Sequence, residues 1–110
     1  MRIKWSEQSR DDLREIVTYV ASNFGKSKAA EVLEEISHSA DLLKDFPLLG
    51  KGFVEDKELG IAYRTLPSKL NQIVYYIEDE TIVIVTVWQN RRDINRLKKQ
   101  LLLNPKNKTN

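Results

Sequence analysis

A chain of 110 residues with 41% hydrophobic content matches the usual size of one compact domain and suffices for one core. It contains no cysteine, which excludes disulfides, thiolate zinc sites and cysteine nucleophiles. The net charge of +2 hides an asymmetry, because residues 1–88 carry 11 Lys/Arg against 15 Asp/Glu, whereas residues 89–110 carry seven against Asp93 alone. A basic C-terminal end suits a polyanionic or acidic partner, and equally a solvated terminal helix.

The opening Met1-Arg2-Ile3-Lys4-Trp5-Ser6 alternates apolar and polar residues, unlike the apolar stretch of a signal peptide, and no run is apolar for long enough to cross a bilayer. A cytoplasmic protein with no membrane contact is expected. Arg2 to Ser6 reads as a short strand. Leu13, Ile16, Val17, Val20, Ala21 and Phe24 then form one helical stripe, predicting a first helix over about residues 8–24, capped by Ser6 or Ser9 and stopped at Gly25. Ser27 can cap a second helix with Ala29, Val32, Leu33, Ile36, Ala40 and Leu43 on its apolar face, which Pro47 prevents from continuing beyond Phe46. So short a connection makes an antiparallel helical hairpin.

Pro47 to Gly60 holds three of the four glycines and charges of mixed sign, and is expected to be a loop. Beyond it the apolar period changes to two. Strands are expected over Ile61 to Leu66, ended by Pro67, then Gln72 to Ile77 and Thr81 to Trp88, the last two joined as an antiparallel hairpin through Glu78-Asp79-Glu80. Ile82-Val83-Ile84-Val85 is apolar at every position, as a central strand covered on both faces would be. Asp93 to Leu103 suits a final helix with Ile94, Leu97 and Leu101 on one side, stopped by Asn104-Pro105. The expected fold is α+β, in the order β-α-α-β-β-β-α, with the helical hairpin on a mainly antiparallel sheet. One domain over residues 1–103 is followed by a polar tail, 104–110.

Metal and triad chemistry lack the necessary residues. His38 is the one histidine, stands between Ser37 and Ser39 on the polar face of the second helix, and is expected to be solvated without catalytic duty. Gly50-Lys51-Gly52 lacks the strand-to-helix setting of a phosphate loop, so no cofactor is expected. What remains is basic and aromatic. Arg64 lies in a strand with Ala62 and Leu66 as its same-face neighbours, where it either snorkels to an edge or holds an anion. Arg91 and Arg92 follow Trp88 directly after the apolar strand, placed either to meet a phosphate or carboxylate or to pair with Asp93 or an acid of the helical hairpin. Arg64, Trp88, Arg91 and Arg92 are the candidate functional residues, with no catalytic residue assigned.

The order of motifs resembles the RelE/ParE toxins of type II toxin-antitoxin systems. The resemblance rests on the opening strand, the helical corner Asn23-Phe24-Gly25, Phe46-Pro47-Leu48-Leu49-Gly50, Gly60-Ile61-Ala62-Tyr63-Arg64, Ile73-Val74-Tyr75-Tyr76-Ile77 and Val87-Trp88-Gln89-Asn90-Arg91-Arg92-Asp93. It is collinear from Ile3 to about Leu97. It implies growth inhibition within a plasmid-stabilisation module, a cognate antitoxin that wraps and neutralises the toxin, and homo- or hetero-oligomers. RelE-like members cleave mRNA on the ribosome, whereas ParE-like members poison DNA gyrase. The strand position that carries an arginine in RelE-like nucleases corresponds to Gln72, and no tyrosine follows Tyr76 where the RelE-like terminal tyrosine would fall, near Leu97. RNA cleavage needs one group to take the 2′-OH proton and another to protonate the leaving oxygen. The resemblance therefore favours a ParE-like gyrase poison, not an enzyme, over a RelE-like endoribonuclease; an inactive antitoxin-binding or nucleic-acid-binding module is the third reading.

Overall fold

The computed structural model describes residues 1–103. The expected stop at Asn104-Pro105 and the polar tail lie outside the described residues. The elements run β1 (Arg2–Trp5), α1 (Glu7–Phe24), α2 (Lys26–Leu42), β2 (Lys51–Asp56), β3 (Ile61–Ser68), β4 (Asn71–Glu78), β5 (Thr81–Gln89) and α3 (Ile94–Leu103). The architecture is α+β, with one five-stranded sheet in the order β1-β5-β4-β3-β2. β1 runs parallel to β5 and the other pairings are antiparallel, so the sheet is mixed.

The alternation along the strands sorts side chains onto two faces. Ile73, Tyr75, Ile82, Ile84 and Val87 meet Ile16, Ile36, Ala40 and Leu43 of the helical hairpin and its exit turn. Tyr63, Val74, Tyr76, Val83, Val85 and Trp88 meet Leu97 and Leu101 of α3. The unbroken apolar run in β5 thus follows from its place between β1 and β4, with helices over both faces. The alternation slips once, where β5 carries an extra residue opposite the Val74–Tyr75 step of β4. Beyond that bulge Val87 faces the helical hairpin and Trp88 faces α3.

Several expectations change. Residues 51–56, expected as loop, form the edge strand β2, giving the order β-α-α-β-β-β-β-α. This edge strand half-buries Phe53 and Val54, buries only the polar Asp56, tolerates Gly52 beside its register shift and keeps Lys51 and Glu55 in water, so its composition mimics a loop. Pro67 does not end its strand. β2 reaches only as far as Thr65, so Pro67 sits on a stretch of β3 whose outer side asks for no amide donor.

Ser6 caps α1, its hydroxyl accepting the Ser9 amide at 3.0 Å. Gly25, at φ 94°, serves both as C-cap of α1 and as N-cap of α2, which leaves Ser27 inside the second helix with no capping bond. A single positive-φ glycine reverses the chain here. α2 ends at Leu42, well before Pro47. On α3, Leu97 and Leu101 are fully buried whereas Ile94 remains exposed.

Among the described residues, one buried side-chain polar atom is unsatisfied. The Tyr63 hydroxyl has no hydrogen-bond partner among the described residues, and burial, with Tyr76 and Asp56 nearby, pushes its pKa up to about 12. Its ring meets that of Tyr76 edge-on at 5.9 Å between centroids. Tyr63→Phe keeps that ring contact and removes the stranded hydroxyl, so it should leave stability unchanged or raise it by about 1 kcal/mol in urea titration. A loss of more than that would reveal a bond made by the hydroxyl in solution.

Candidate functional site

The C-terminal end of β5 gathers the polar chemistry of the molecule. Gln89 ends the strand opposite Asn71, and Gln72 lies opposite Trp88. The Gln72 side chain accepts from the Thr65 hydroxyl at 2.7 Å and donates to the Asn90 side chain at 3.2 Å. The Asn90 amide donates to the Leu70 carbonyl at 2.8 Å, and the Arg92 amide to the Gln89 carbonyl at 3.0 Å. These bonds tie the turn after β5 to the β3–β4 turn.

Two exposed arginines leave this turn, and each is laid on an aromatic ring. The Arg91 guanidinium sits 4.4 Å from the ring centroid of Tyr19 on α1, with its Nε donating to Gln89 at 2.8 Å. The Arg92 guanidinium sits 3.9 Å from the Trp88 ring, and the indole N–H points back at the Arg92 carbonyl at 3.4 Å. Neither arginine forms an ion pair with a carboxylate among the described residues. The alternative of pairing with Asp93 is not realised; Asp93 instead accepts the Asn95 amide at the start of α3. Stacking holds a guanidinium flat while leaving N–H groups at its edge for a phosphate or carboxylate. Trp88 is only 2% exposed, so it acts as the platform under Arg92 and offers no surface of its own.

Arg64 is elsewhere. Its row in the sheet, with Tyr75 and Ile84, lies four residues along β4 from the Asn71 row, roughly 13 Å at strand spacing. Its Nε and Nη2 donate to the Gly50 carbonyl at 3.0 and 2.6 Å, and Nη2 also to the Leu48 carbonyl at 3.3 Å. It has snorkelled to a loop and is occupied there. His38 is exposed on α2, away from these groups.

Beside Arg91 runs an apolar groove of about 420 Å³. Ile16, Val20, Phe24 and Val32 of the helical hairpin form one wall and Leu70 of the β3–β4 turn the other, with Lys28, Lys69 and Arg91 on its rim. α1 spans roughly 27 Å at helical rise, and Phe24 is its last residue. Phe24, expected in the core stripe, is 67% exposed, and Leu70 is 78% exposed. Among the described residues Glu35 is the one acid on the groove lining, and it lies 3.7 Å from Lys69.

Asp12, in the second turn of α1, is not among the candidate residues read from the sequence. It is buried, with one carboxylate oxygen accepting from the Thr86 hydroxyl and the Val87 amide and the other from Gln8. Burial raises its pKa, against the pull of those bonds and of Arg92. A carboxyl whose pKa is higher folded than unfolded adds stability that is complete below its unfolded value, near pH 4, and is lost as pH rises through the folded value. The stability advantage of the wild type over Asp12→Asn should therefore shrink as pH rises from about 4 to 7. Parallel urea titrations would read it; an advantage that grows with pH would mean that the hydrogen bonds outweigh desolvation.

The fold is that of a known toxin class. The chain matches a structure described as the chromosomal ParDE TA system from P. aeruginosa with a TM-score of 0.68 at 21% identity, over 81% of this chain and 95% of that one. Residues 3–94 match the family model of the ParE toxin of type II toxin-antitoxin systems, parDE, and the chain belongs to that family. No curated protein matches it in sequence. No described helix is long and apolar enough to cross a membrane.

Proposed function

We propose that this ParE-type toxin arrests growth in the cytoplasm by poisoning DNA gyrase, with the Arg91–Arg92 turn as its contact, and that a cognate antitoxin silences it. The observation that carries the choice of target is the chemistry around the arginines. Gln72, Asn90 and Gln89 are amides, already bonded to Thr65, to one another and to Arg91. None can exchange a proton near neutral pH, as cleavage of an RNA backbone requires. Asp12 is buried under three donors, and His38 lies on the outer face of the second helix. Fixed cations without a titrating partner suit binding better than phosphodiester cleavage.

The groove supports the antitoxin half of the reading. Its apolar walls and cationic rim fit an amphipathic, acidic segment, and because Arg91 belongs to both groove and turn, an occupant would cover a toxic contact as it binds. Purified toxin should block gyrase supercoiling, and its adjacent small gene product should restore it. Cleavage of ribosome-bound mRNA with gyrase untouched would instead establish the endoribonuclease reading, and normal growth despite soluble expression would exclude an active toxin.

A further inference from the structure

β1 accompanies β5 only to the Trp5–Ile84 row, where the Ser6 amide donates to the Ile84 carbonyl at 3.0 Å. From Val85 onward that edge of β5 has no strand beside it, and its backbone groups need other partners. α1 supplies them. The Ser6 hydroxyl donates to the Val85 carbonyl at 2.7 Å, and the Asp12 carboxylate accepts the Val87 amide at 3.1 Å together with the Thr86 hydroxyl. These contacts fall at the bulge, where the alternation of β5 slips. Two turns further along the same face of α1, Tyr19 carries the Arg91 guanidinium.

An apolar residue at position 12 would cover β5 without the desolvation that a carboxylate incurs. It could not fix the height of Val87 along the helix. The carboxylate does, because its two directional bonds lock the bulged segment from which Trp88, Arg91 and Arg92 follow.

We propose that Asp12 is a positioning residue for the arginine turn: with Tyr19 it makes one face of α1 the template that fixes the end of β5 and the directions of Arg91 and Arg92. The inference rests on the reading that these arginines contact the target. Asp12 touches no target itself and acts through Thr86 and Val87.

The test uses the full chain with Asp12→Asn and Thr86→Val, and Val54→Ala on the far strand β2 as a control destabilised without touching the turn. Amide exchange at Val87, the Nε–Hε NMR signals of Arg91 and Arg92 and the induction level needed for growth arrest are compared at equal folded fraction. Asp12→Asn should melt cooperatively, exchange Val87 about tenfold faster or more, shift both arginine signals and require about tenfold more toxin. The control should move none of these. Unchanged Val87 exchange, unmoved arginine signals, or an equal toxicity loss in the control overturns the proposal. Should Asp12→Asn fail to fold, Thr86→Val, which keeps the carboxylate and deletes one donor, carries the same comparison. If Arg91→Ala and Arg92→Ala keep full toxicity while Asp12→Asn shifts the arginine signals, the target reading fails and the positioning role stands.

Discussion

Arg91→Ala and Arg92→Ala should each abolish or greatly weaken growth arrest, by tenfold or more in the toxin level required, while His38→Ala should leave it intact. The expectation follows from how the two side chains are held. Each guanidinium lies over an aromatic ring and has no carboxylate partner among the described residues, so its charge is presented outward from a hydrogen-bonded turn. A preorganised charge of this kind loses little side-chain entropy when it meets an acidic group or a phosphate. Removing a stacked, exposed arginine should lower stability by no more than about 1 kcal/mol, so the variants should remain folded. Lysine would keep the charge but neither the planar fork nor the stacking geometry, and Arg91→Lys should fall between wild type and alanine. The measurement is titrated induction in a growing culture, with circular dichroism confirming the fold. Undiminished toxicity in both alanine variants would remove the turn from the functional site.

Much of this arrangement is legible in the sequence, for identifiable reasons. Helical and alternating periods are local signals, so the hairpin of helices, the β4–β5 hairpin and the central place of β5 could be read from Leu13 to Val20 and from Ile82 to Val85. β2 was not, because an edge strand buries too little to pattern its sequence, and Lys51-Gly52 reads as turn. Asp12 was missed for a different reason. Beside Asp11 near the start of α1 it has the composition of a solvated helix surface, and only the tertiary meeting of α1 with the β5 bulge turns it into a buried acceptor. The bulge itself breaks the alternation that a strand reading assumes, and its extra residue, Val85, closes an apolar run where no sequence signal marks it. Among the candidate residues, Arg91, Arg92 and Trp88 come together and Arg64 stands apart. The capacity of an arginine to snorkel was visible in its apolar strand, but its acceptors, Leu48 and Gly50, come from a loop whose path the sequence did not define.

Two side chains hold that loop, Tyr75 and Arg64. Tyr75 is fully buried, and its hydroxyl accepts the Gly50 amide at 2.9 Å while donating to the Pro47 carbonyl at 2.8 Å. Arg64 grips the same turn from the other side through the carbonyls of Leu48 and Gly50. A Cβ added at Gly50 would lie 2.7 Å from the Tyr75 ring and hydroxyl and 2.9 Å from the Thr65 carbonyl. Neither neighbour can yield easily, since one is bonded at both ends and the other is backbone of β3. Gly50→Ala should therefore cost about 2 to 4 kcal/mol, combining overpacking with a broken buried hydrogen bond. Tyr75→Phe, which leaves the Gly50 amide and the Pro47 carbonyl without their partner, should cost about 1 to 3 kcal/mol. Arg64→Ala should lose about 1 to 2 kcal/mol, the lower end reflecting its partial exposure. Because both side chains hold one turn, the double variant Arg64→Ala/Tyr75→Phe should lose less than the two single losses added together. Urea midpoints measure the losses, and limited proteolysis at the exposed Leu48 and Leu49 should quicken in step with them. Arg64→Ala should then retain growth arrest at a temperature where it remains folded. Toxicity lost with stability and proteolysis unchanged would return Arg64 to the functional site and refute its role as an anchor of the loop.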